Sequence, residues 1–149
     1  MFSASHEKDS IAFAQESGEF VANLVSAPLL ESMIASSVDA PRGTSEFDYA
    51  KLTPEPGRLV SAPRVKEAFA ALECKVTEIW RPKSLHNQGH TPFVVCGEVI
   101  GIHIDEAIMA DGQIDIAKSR PVSRLGYLDY AITSEVFARI RPRWRASQG

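Results

Sequence analysis

Two long segments of the chain repeat their apolar positions with a period of two residues, which predicts two β-strands. Residues 71–80 alternate cleanly, as expected of a strand with one buried face. The apolar positions of this strand are Leu72, Cys74, Val76 and Trp80, and the polar ones are Glu73, Lys75 and Thr77. Residues 93–104 are apolar on both faces and contain Gly97 and Gly101, as in a strongly bent strand at a barrel corner. Because no helix of crossover length separates them, the two strands are expected to pair antiparallel as a hairpin.

The remaining elements are shorter, and most of them precede these strands. In chain order they are a strand end at 1–5, a helix at 10–17, a strand at 19–25, a helix at 28–36, a loop at 36–63 with a helical turn at 45–50, a turn at 111–112 and coil at 121–130. Asp9 and Ser10 are candidate N-caps of the first helix, and Gly18 is its candidate C-cap.

Together these elements predict a mainly β fold with α additions. Antiparallel strands with short peripheral helices are typical of a β-barrel, and a closed barrel needs roughly six or more strands to be filled by side chains. The sequence accounts for about four or five strands. We therefore expect a sheet that is either incomplete or completed by a partner.

Length and composition are those of a globular protein with one core. The chain has 149 residues, 44% of them hydrophobic and 23% charged, which argues against disorder. A net charge of -3 gives no overall basic footprint for nucleic acid. The longest apolar stretch, residues 93–104, is too short to span a bilayer, and the acidic residues near the start argue against a signal peptide. Cys74 and Cys96 form no C-x-x-C motif, so free thiols in a reducing cytoplasm are expected.

Charge is distributed unevenly along the chain. The last eleven residues carry Arg139, Arg141, Arg143 and Arg145 without an acid, whereas the first fifty carry a net charge of minus six. We therefore divide the chain into a domain at 1–137 and a basic tail at 138–149. The tail suits either a solvated terminus or a contact with a phosphate or another anion, and the sequence leaves both open.

The residues best suited to bind a ligand lie between the first strand and the first helix. Lys8 supplies a positive charge beside a helix N-terminus, where phosphates bind readily. The hydroxyl donors of this segment are Ser3, Ser5 and Ser10. Asp9 would repel a phosphate unless its side chain turns back to cap the helix. A capped helix start with surface serines fits the same residues, so spacing alone does not decide between the two interpretations.

Asn23 and the histidines are the other candidates. Asn23 is the polar residue of the run 20–25, and a buried amide needs partners, either neighbouring backbone groups or the polar edge of a ligand. His86 and His90 lie four residues apart in a predicted loop without a nearby acid or cysteine, so no metal site is expected. His103 is expected to be a hydrogen-bonded core or interface residue. No G-x-S-x-G or G-x-G-x-x-G motif supports a serine hydrolase or a Rossmann fold.

Six segments in order resemble the flavin reductase-like group of FMN-binding split-barrel proteins. Residues 3–10 resemble the S-x-x-x-x-K-D-S/T loop of that family, and residues 17–24 resemble its S/T-G-E-F-V-x-N-L strand. The other four similar segments are 46–57 (E-F…L-T-P-x-P), 63–65 with 72–74, 96–104 (G-E-V-V-x-x-H) and 125–130. Each motif is weak alone, but their common order is fairly specific, and together they cover about residues 1–137.

The resemblance implies a split β-barrel that dimerises and holds FMN near the subunit interface. It implies that Ser3, Ser5, Lys8, Asp9 and Ser10 hold the FMN phosphate and ribityl chain, and that Asn23 lies near the flavin. The implied activity is hydride transfer from NADH or NADPH to flavin, carried by the flavin itself, so no side chain is assigned as catalytic.

The likeness is incomplete at the front. Family members carry several dozen residues before the position of Met1, including the first strands, so the resemblance implies a barrel that lacks them. The G-D-H motif of the smaller flavin reductases is also absent, since residues 88–90 match it only in part, and no nicotinamide contact is assigned. Two alternatives therefore stay open: a non-enzymatic or weakly flavin-binding protein, and an FMN-binding electron carrier.

Overall fold

The computed structural model of the chain describes residues 1–6, 8–86 and 91–144. The strands are β1 Phe2–Ala4, β2 Glu19–Asn23, β3 Pro54–Glu55, β4 Arg64–Val65, β5 Ala70–Trp80, β6 Phe93–Ile104, β7 Met109–Ala110, β8 Gln113–Ile114, β9 Val122–Gly126 and β10 Asp129–Ile132. The α-helices are α1 Asp9–Ser17, α2 Leu30–Ala35, α3 Glu46–Tyr49 and α4 Ile116–Ser119, and 3₁₀ turns occupy Ala27–Leu29 and Glu106–Ile108. The fold is mainly β with α additions, as predicted.

The central sheet has four strands in the order β1-β6-β5-β2, and all of its neighbouring pairs are antiparallel. Strands β5 and β6 form the predicted hairpin, with a register that runs from the pair Ala70–Ile104 to the pair Trp80–Val94. Bulges between Glu73 and Cys74 and near residues 76–78 shift this register and let the long hairpin curl. Three two-stranded ladders, β3–β4, β7–β8 and β9–β10, complete the strands of the described residues.

Helix α1 closes one side of the sheet and forms the core with it. Ile11 and Ala14 on the helix and Val95 on β6 are buried together. Phe2 and Phe20 pack against this cluster. Their two rings meet edge to face, with ring centroids 5.2 Å apart. Gly18 ends the helix in the left-handed conformation with φ 68°, which confirms the predicted C-cap.

Gly97 on β6 is required by close packing of an aromatic ring against the strand. A Cβ atom at this position would lie 2.6 Å from Cε1 of Phe20 and 2.8 Å from the carbonyl oxygen of Lys75. No real Cβ atom tolerates such distances, so any larger residue would displace Phe20 from the core. The glycine therefore allows β2 to curl over the hairpin.

The buried and exposed faces predicted for β5 are wrong at two neighbouring residues, Leu72 and Glu73. Glu73 was expected on the polar face, yet it is completely buried, whereas Leu72 is 36% exposed. The reason is that residues 57–61 cover the polar face of β5 and supply hydrogen-bond donors to the carboxylate. Periodicity predicts which residues share a face, but not whether a loop covers that face.

Residues 121–130 were predicted as coil, and this too is wrong. They contain β9 and the first half of β10, and these two strands pair antiparallel through four register positions. Gly126 and Tyr127 both adopt positive φ, at 117° and 48°, to make the turn between these strands. Leu125, Tyr127 and Leu128 at this turn are 68–93% exposed, so the alternation of buried and exposed positions that marks a strand is missing.

The end of the chain carries little regular structure in its described part. Residues 133–144 form neither helix nor strand. Arg139, Arg141 and Arg143 lie there, whereas Arg145 falls outside the described residues. The division between a domain at 1–137 and a tail at 138–149 stays a prediction. No helix within the described ranges is long and apolar enough to cross a membrane.

Candidate functional site

A cleft of about 900 Å³ opens between the start of α1, strand β2 and the loop that precedes α3. It lies within the volume range of small-molecule sites. The lining residues important for its chemistry are Lys8, Asp9, Ser10, Phe20, Ala22, Asn23, Asp39, Leu72, Cys74 and Val99. The cleft therefore brings together residues that are distant in sequence, from the first helix to β6.

The polar end of the cleft is the start of α1. The helix begins at Asp9, and its N-cap residue Lys8 makes no side-chain hydrogen bond to the first turn. The prediction of Asp9 or Ser10 as the capping residue is therefore wrong. The Ile11 amide of this turn donates to the Lys8 carbonyl oxygen at 2.9 Å. The first amides of a helix have no intrahelical partner, so those of Asp9 and Ser10 are the candidates to bind an anion.

Lys8 is the cation at this end, and its present partner is weakly held. Its Nζ lies 3.3 Å from Oδ1 of Asp39, and both side chains are largely exposed. Exposed ion pairs of this kind contribute little to stability because solvent screens them. A ligand with a stronger negative charge can therefore replace Asp39 as the partner of Lys8 at small cost.

Asn23 lies at the end of β2, where its side chain both contacts a neighbouring strand and lines the cleft. Its Oδ1 accepts a hydrogen bond of 3.0 Å from the backbone amide of Val65. This bond joins β2 to β4 and leaves the Nδ2 group as the part of the side chain that can donate into the cleft. Both partners considered from the sequence, a neighbouring backbone group and the edge of a ligand, are thus compatible with one side chain.

The floor of the cleft is an apolar part of the central sheet. Phe20 and Ala22 come from β2, Leu72 and Cys74 from β5, and Val99 from β6. Burial raises the pKa of the Cys74 thiol, so the thiol stays protonated and adds to the apolar surface. The cleft thus joins a cationic, donor-rich end to an apolar floor, which suits a ligand with one anionic end and one flat apolar part.

The six predicted cofactor residues are only partly brought together. Lys8, Asp9, Ser10 and Asn23 line the cleft. Ser3 is exposed on β1, and the Oγ of exposed Ser5 lies 3.0 Å from Nδ1 of His6. Neither of these two serines lines the cleft. They lie on the approach to α1, since β1 ends only five residues before the helix begins.

Sequence reasoning missed a buried carboxylate, Glu73, which lies on β5 between two residues that line the cleft, Leu72 and Cys74. Its two oxygens accept the backbone amides of Arg58, Leu59 and Val60 at 2.8, 2.6 and 3.0 Å. Nε2 of His103 contacts the same carboxylate, which confirms that His103 is hydrogen-bonded; its side chain is partly buried. The amide of Arg58 and the His103 ring are the largest of the effects that lower the pKa of Glu73 to about 2.

A second carboxylate, Glu19, fixes the next residue of the same loop. Its side chain accepts the amide of Ser61 at 2.7 Å and the Ser61 hydroxyl at 2.6 Å, and Lys75 Nζ lies 2.9 Å away. The Ser61 hydroxyl, followed by its amide and Lys75, lowers the pKa of Glu19 to about 2. Four consecutive amides, at residues 58–61, therefore bind two carboxylates. We call residues 57–61 the anchored loop.

A signal for this arrangement exists in the sequence, although it is faint. Gly101 is paired with Glu73 across the hairpin, and a Cβ there would lie 3.2 Å from Cδ1 of Leu59. The glycine thus makes room for the anchored loop above the sheet. A glycine opposite an acidic strand residue can indicate a covering loop, but the sequence does not say which loop it is.

The structure offers no support for a metal site in its described part. Within residues 1–6, 8–86 and 91–144, no three His, Cys, Asp or Glu side chains are grouped so as to hold a metal ion. His86 is exposed, and His90 lies outside the described residues, so that predicted pair is not described.

Comparison with known proteins gives concordant likenesses. The model of the flavin reductase-like domain family matches residues 1–121. A protein of Halalkalibacterium halodurans is 35% identical over 135 residues, which are 91% of this chain and 64% of that protein. The chain spans 54–67% of the length of five curated relatives that it matches.

Two solved structures are similar in fold. Nitrilotriacetate monooxygenase component B from Bacillus cereus matches with a TM-score of 0.81 and 29% identity, over 91% of this chain and 67% of that one. A protein from Shewanella frigidimarina, assigned as a flavin reductase with a split barrel domain, matches with a TM-score of 0.73 and 27% identity, over 87% and 63%. The curled antiparallel sheet is thus of the split-barrel type, as the resemblance implied.

Proposed function

The chain belongs to the flavin reductase-like domain family, and from this premise we propose that it is an FMN-binding oxidoreductase that passes hydride from NADH or NADPH to flavin. The observation that carries the proposal is the cleft, which joins Lys8 and Ser10 at a helix start to Asn23 and an apolar floor. FMN has the matching parts: a phosphate, a polar ribityl chain and a flat ring system.

The phosphate fits the start of α1. Lys8 supplies the charge and makes no side-chain hydrogen bond to the first turn, and the Ser10 hydroxyl is a neutral donor. Asp9 lies in that turn and opposes a phosphate, so Lys8 has to outweigh it. Ser3 and Ser5 remain proposed contacts of the ribityl chain or the phosphate, reached through the short segment that links β1 to α1.

The ring system fits the sheet. Phe20, Leu72 and Val99 offer an apolar surface to the ring system. Asn23 lies on the same strand as Phe20 and can donate from its Nδ2 group to the polar edge of the ring. The flavin supplies the hydride-accepting chemistry when bound. The chain's own residues hold and orient it and exclude water, and none of them needs to act as an acid, a base or a nucleophile.

Two substitutions of Asn23 test this assignment. Asn23→Asp keeps an oxygen for the Val65 amide but replaces the donor Nδ2 by a charged acceptor, whereas Asn23→Ala removes both groups. We expect FMN titrations, followed by flavin absorbance, to show at least about tenfold weaker binding by the aspartate variant with little loss of thermal stability.

The activity itself is tested on the unchanged chain. The proposed enzyme should bind FMN saturably, and NADH or NADPH should then bleach the bound flavin under anaerobic conditions. A chain that binds no FMN contradicts the proposal, and one that binds FMN but is not reduced is an electron carrier or a binding protein instead.

We propose in addition that two copies of the chain form the working unit. Ile102 and Ile104 on β6 and Leu72 on β5 are 65%, 40% and 36% exposed, and the register places all three on one face of the sheet. Apolar surface of this extent on a sheet is typical of an interface. Light scattering at micromolar concentration should give twice the mass of one chain, and a monomer at that concentration contradicts the dimer.

A further inference from the structure

The polar end of the cleft has a charge balance that Lys8 alone does not make favourable for a phosphate. Two carboxylates, Asp9 and Asp39, line the cleft near Lys8, and a phosphate monoester would add about two further negative charges. A second cation is therefore needed to hold a phosphate there. Among the described residues that line the cleft, His6 and Lys8 have the two side chains that can carry positive charge.

The other titratable side chains of the cleft come from α3, β2 and β5, and none of them supplies that cation. Glu46 on α3 is an exposed carboxylate. Glu19 on β2 is already matched by Lys75, whose Nζ lies 2.9 Å away. The Cys74 thiol on β5 stays protonated because burial raises its pKa. These groups add negative charge or none, so the need for a second cation remains.

His6 lies where that cation is needed, and Ser5 holds its ring. Nδ1 of His6 lies 3.0 Å from Ser5 Oγ, two residues before the N-cap residue Lys8. His6 lines the cleft, whereas Ser5 does not. In a protonated imidazole both nitrogens carry a hydrogen, so Ser5 Oγ can accept from Nδ1 while Nε2 remains to donate to a phosphate oxygen. The serine thus acts on the cleft through its neighbour.

We propose that His6 is the second cation of the phosphate end, that Ser5 positions its ring, and that the protonation of His6 regulates FMN binding. The inference rests on the proposed function, which supplies the phosphate, and it replaces the direct contact proposed above for Ser5. Histidine is the side chain whose charge changes between pH 5 and pH 8, and a bound anion favours the charged form. FMN binding is therefore coupled to proton uptake by His6, and a rise in pH through this range weakens it.

The first test compares FMN with riboflavin, which lacks the phosphate, in titrations of the full chain at pH 6.5. His6→Gln keeps a neutral donor but cannot become charged. It should weaken FMN binding by about tenfold and riboflavin binding by less than about twofold, because one charge-assisted contact to the phosphate is lost. His86→Gln is the matched control, since His86 is exposed and does not line the cleft, and both affinities should stay within about twofold. Equal FMN binding by the unchanged chain and His6→Gln overturns the proposal.

A pH series separates a charged His6 from a neutral donor. From pH 6.5 to pH 8.5 the FMN affinity of the unchanged chain should fall by about fivefold relative to that of His6→Gln. The phosphate and the other groups of the cleft titrate in both proteins, so the ratio of the two affinities removes their contribution. A ratio that stays constant over this range overturns the regulation by protonation.

The positioning role of Ser5 is tested through its conservative variant and through a double variant. Ser5→Ala should weaken FMN binding by about threefold, because a neutral hydrogen bond to the ring is lost, and Ser5→Thr should restore it. When His6→Gln is already present, Ser5→Ala should cause no further loss, since the ring that it positions is gone. Losses that add in the double variant would place Ser5 in direct contact with the phosphate and overturn its role through His6.

Inorganic phosphate separates this inference from the proposed function. It should shift the imidazole NMR signals of His6 saturably and leave those of His86 unchanged. The same result in a chain that binds no FMN supports an anion site at His6 and sinks the proposed function. A chain that binds FMN and is reduced by NADH or NADPH, but whose His6 signals respond to neither FMN nor phosphate, overturns the inference and leaves the proposed function standing.

Discussion

The anchored loop and the polar end of the cleft are both rich in polar groups, but they differ in how those groups are satisfied. In the anchored loop, Glu73 and Glu19 accept four consecutive backbone amides, and Glu73 is completely buried. At the cleft, Lys8 has one exposed ion-pair partner, and its side chain does not cap the first turn of α1. We call the first network closed, because its hydrogen bonds are satisfied within the chain, and the second open, because its groups remain available to a ligand.

The difference separates structural polar groups from those that are available to a ligand. A carboxylate whose oxygens are filled by the chain's own amides has no capacity left, so Glu73 stabilises the fold. A lysine with a replaceable partner keeps most of its capacity, so Lys8 can serve a ligand. Hydrogen-bond satisfaction, more than residue type, distinguishes the two regions.

Acid should destabilise the fold through the anchored loop. The pKa values of Glu73 and Glu19 are lowered from 4.5 to about 2 in the folded chain. Between these values the unfolded chain binds more protons than the folded chain, so the stability that the two carboxylates contribute is present above pH 4.5 and is lost as the pH falls to about 2. Urea unfolding followed from pH 6 to pH 2 should show a steadily falling midpoint across this window. A midpoint that stays constant from pH 5 to pH 2.5 would show that the ionised forms of Glu73 and Glu19 do not stabilise the fold.

Glu73→Gln should destabilise the chain by itself. The amide that replaces one oxygen cannot accept from the backbone, so at least one buried N–H loses its partner. We expect the melting temperature to fall by roughly 5–10 °C. Glu78→Gln is the matched control, because Glu78 is an exposed residue of the same strand, and it should melt within about 1 °C of the unchanged chain. Equal melting temperatures for the two variants would mean that the buried carboxylate does not contribute to the stability of the fold.

At the open region, Lys8→Ala should weaken FMN binding more than riboflavin binding. Lys8 is proposed to pair with the phosphate, which riboflavin lacks. The loss for FMN should be on the order of tenfold to a hundredfold, as for a charge-assisted contact. Parallel titrations with the two flavins measure the difference, and melting should be almost unaffected because the Lys8–Asp39 pair is exposed. Equal losses for the two flavins would place Lys8 away from the phosphate.

Asp39→Asn should have the smallest effect, and its sign is opposite. Removal of this carboxylate frees Lys8 and takes a negative charge from the wall of the cleft. FMN should bind about two- to fivefold more tightly, with no gain for riboflavin. Asp111→Asn, at an exposed turn far along the chain, should leave both affinities unchanged. Weaker FMN binding by Asp39→Asn would show that Asp39 belongs to the site and is not a competitor for it.

The sequence predicts the elements that depend on local patterns. The bounds of β6, the hairpin with β5 and the Gly18 cap all follow from periodicity and from the conformational freedom of glycine. The burial of Glu73 does not follow, because it depends on a loop that lies 13 to 15 residues earlier and contacts the strand through its backbone. Backbone donors have no signature of their own in the sequence, and the faint sign of a covering loop is Gly101, which is paired with Glu73 across the hairpin.

The candidate site was predictable only through the resemblance. Spacing alone left residues 3–10 undecided between a capped helix start and a phosphate site. The structure adds that Lys8, Ser10 and Asn23 share one cleft, whereas Ser3 and Ser5 do not line it.

The anchored loop is held mainly by its main chain, and this leaves the exposed side chains of Arg58 and Leu59 free to vary. Substitution of Arg58 or Leu59 keeps the amide that binds Glu73, so the path of the loop should survive such changes. Proline is the exception at residues 58–61, because it has no N–H to donate. The chain can thus change the exposed side chain at Arg58 without rebuilding the scaffold beneath it. The surface above the sheet can therefore diverge among descendants of one gene while the fold is inherited intact.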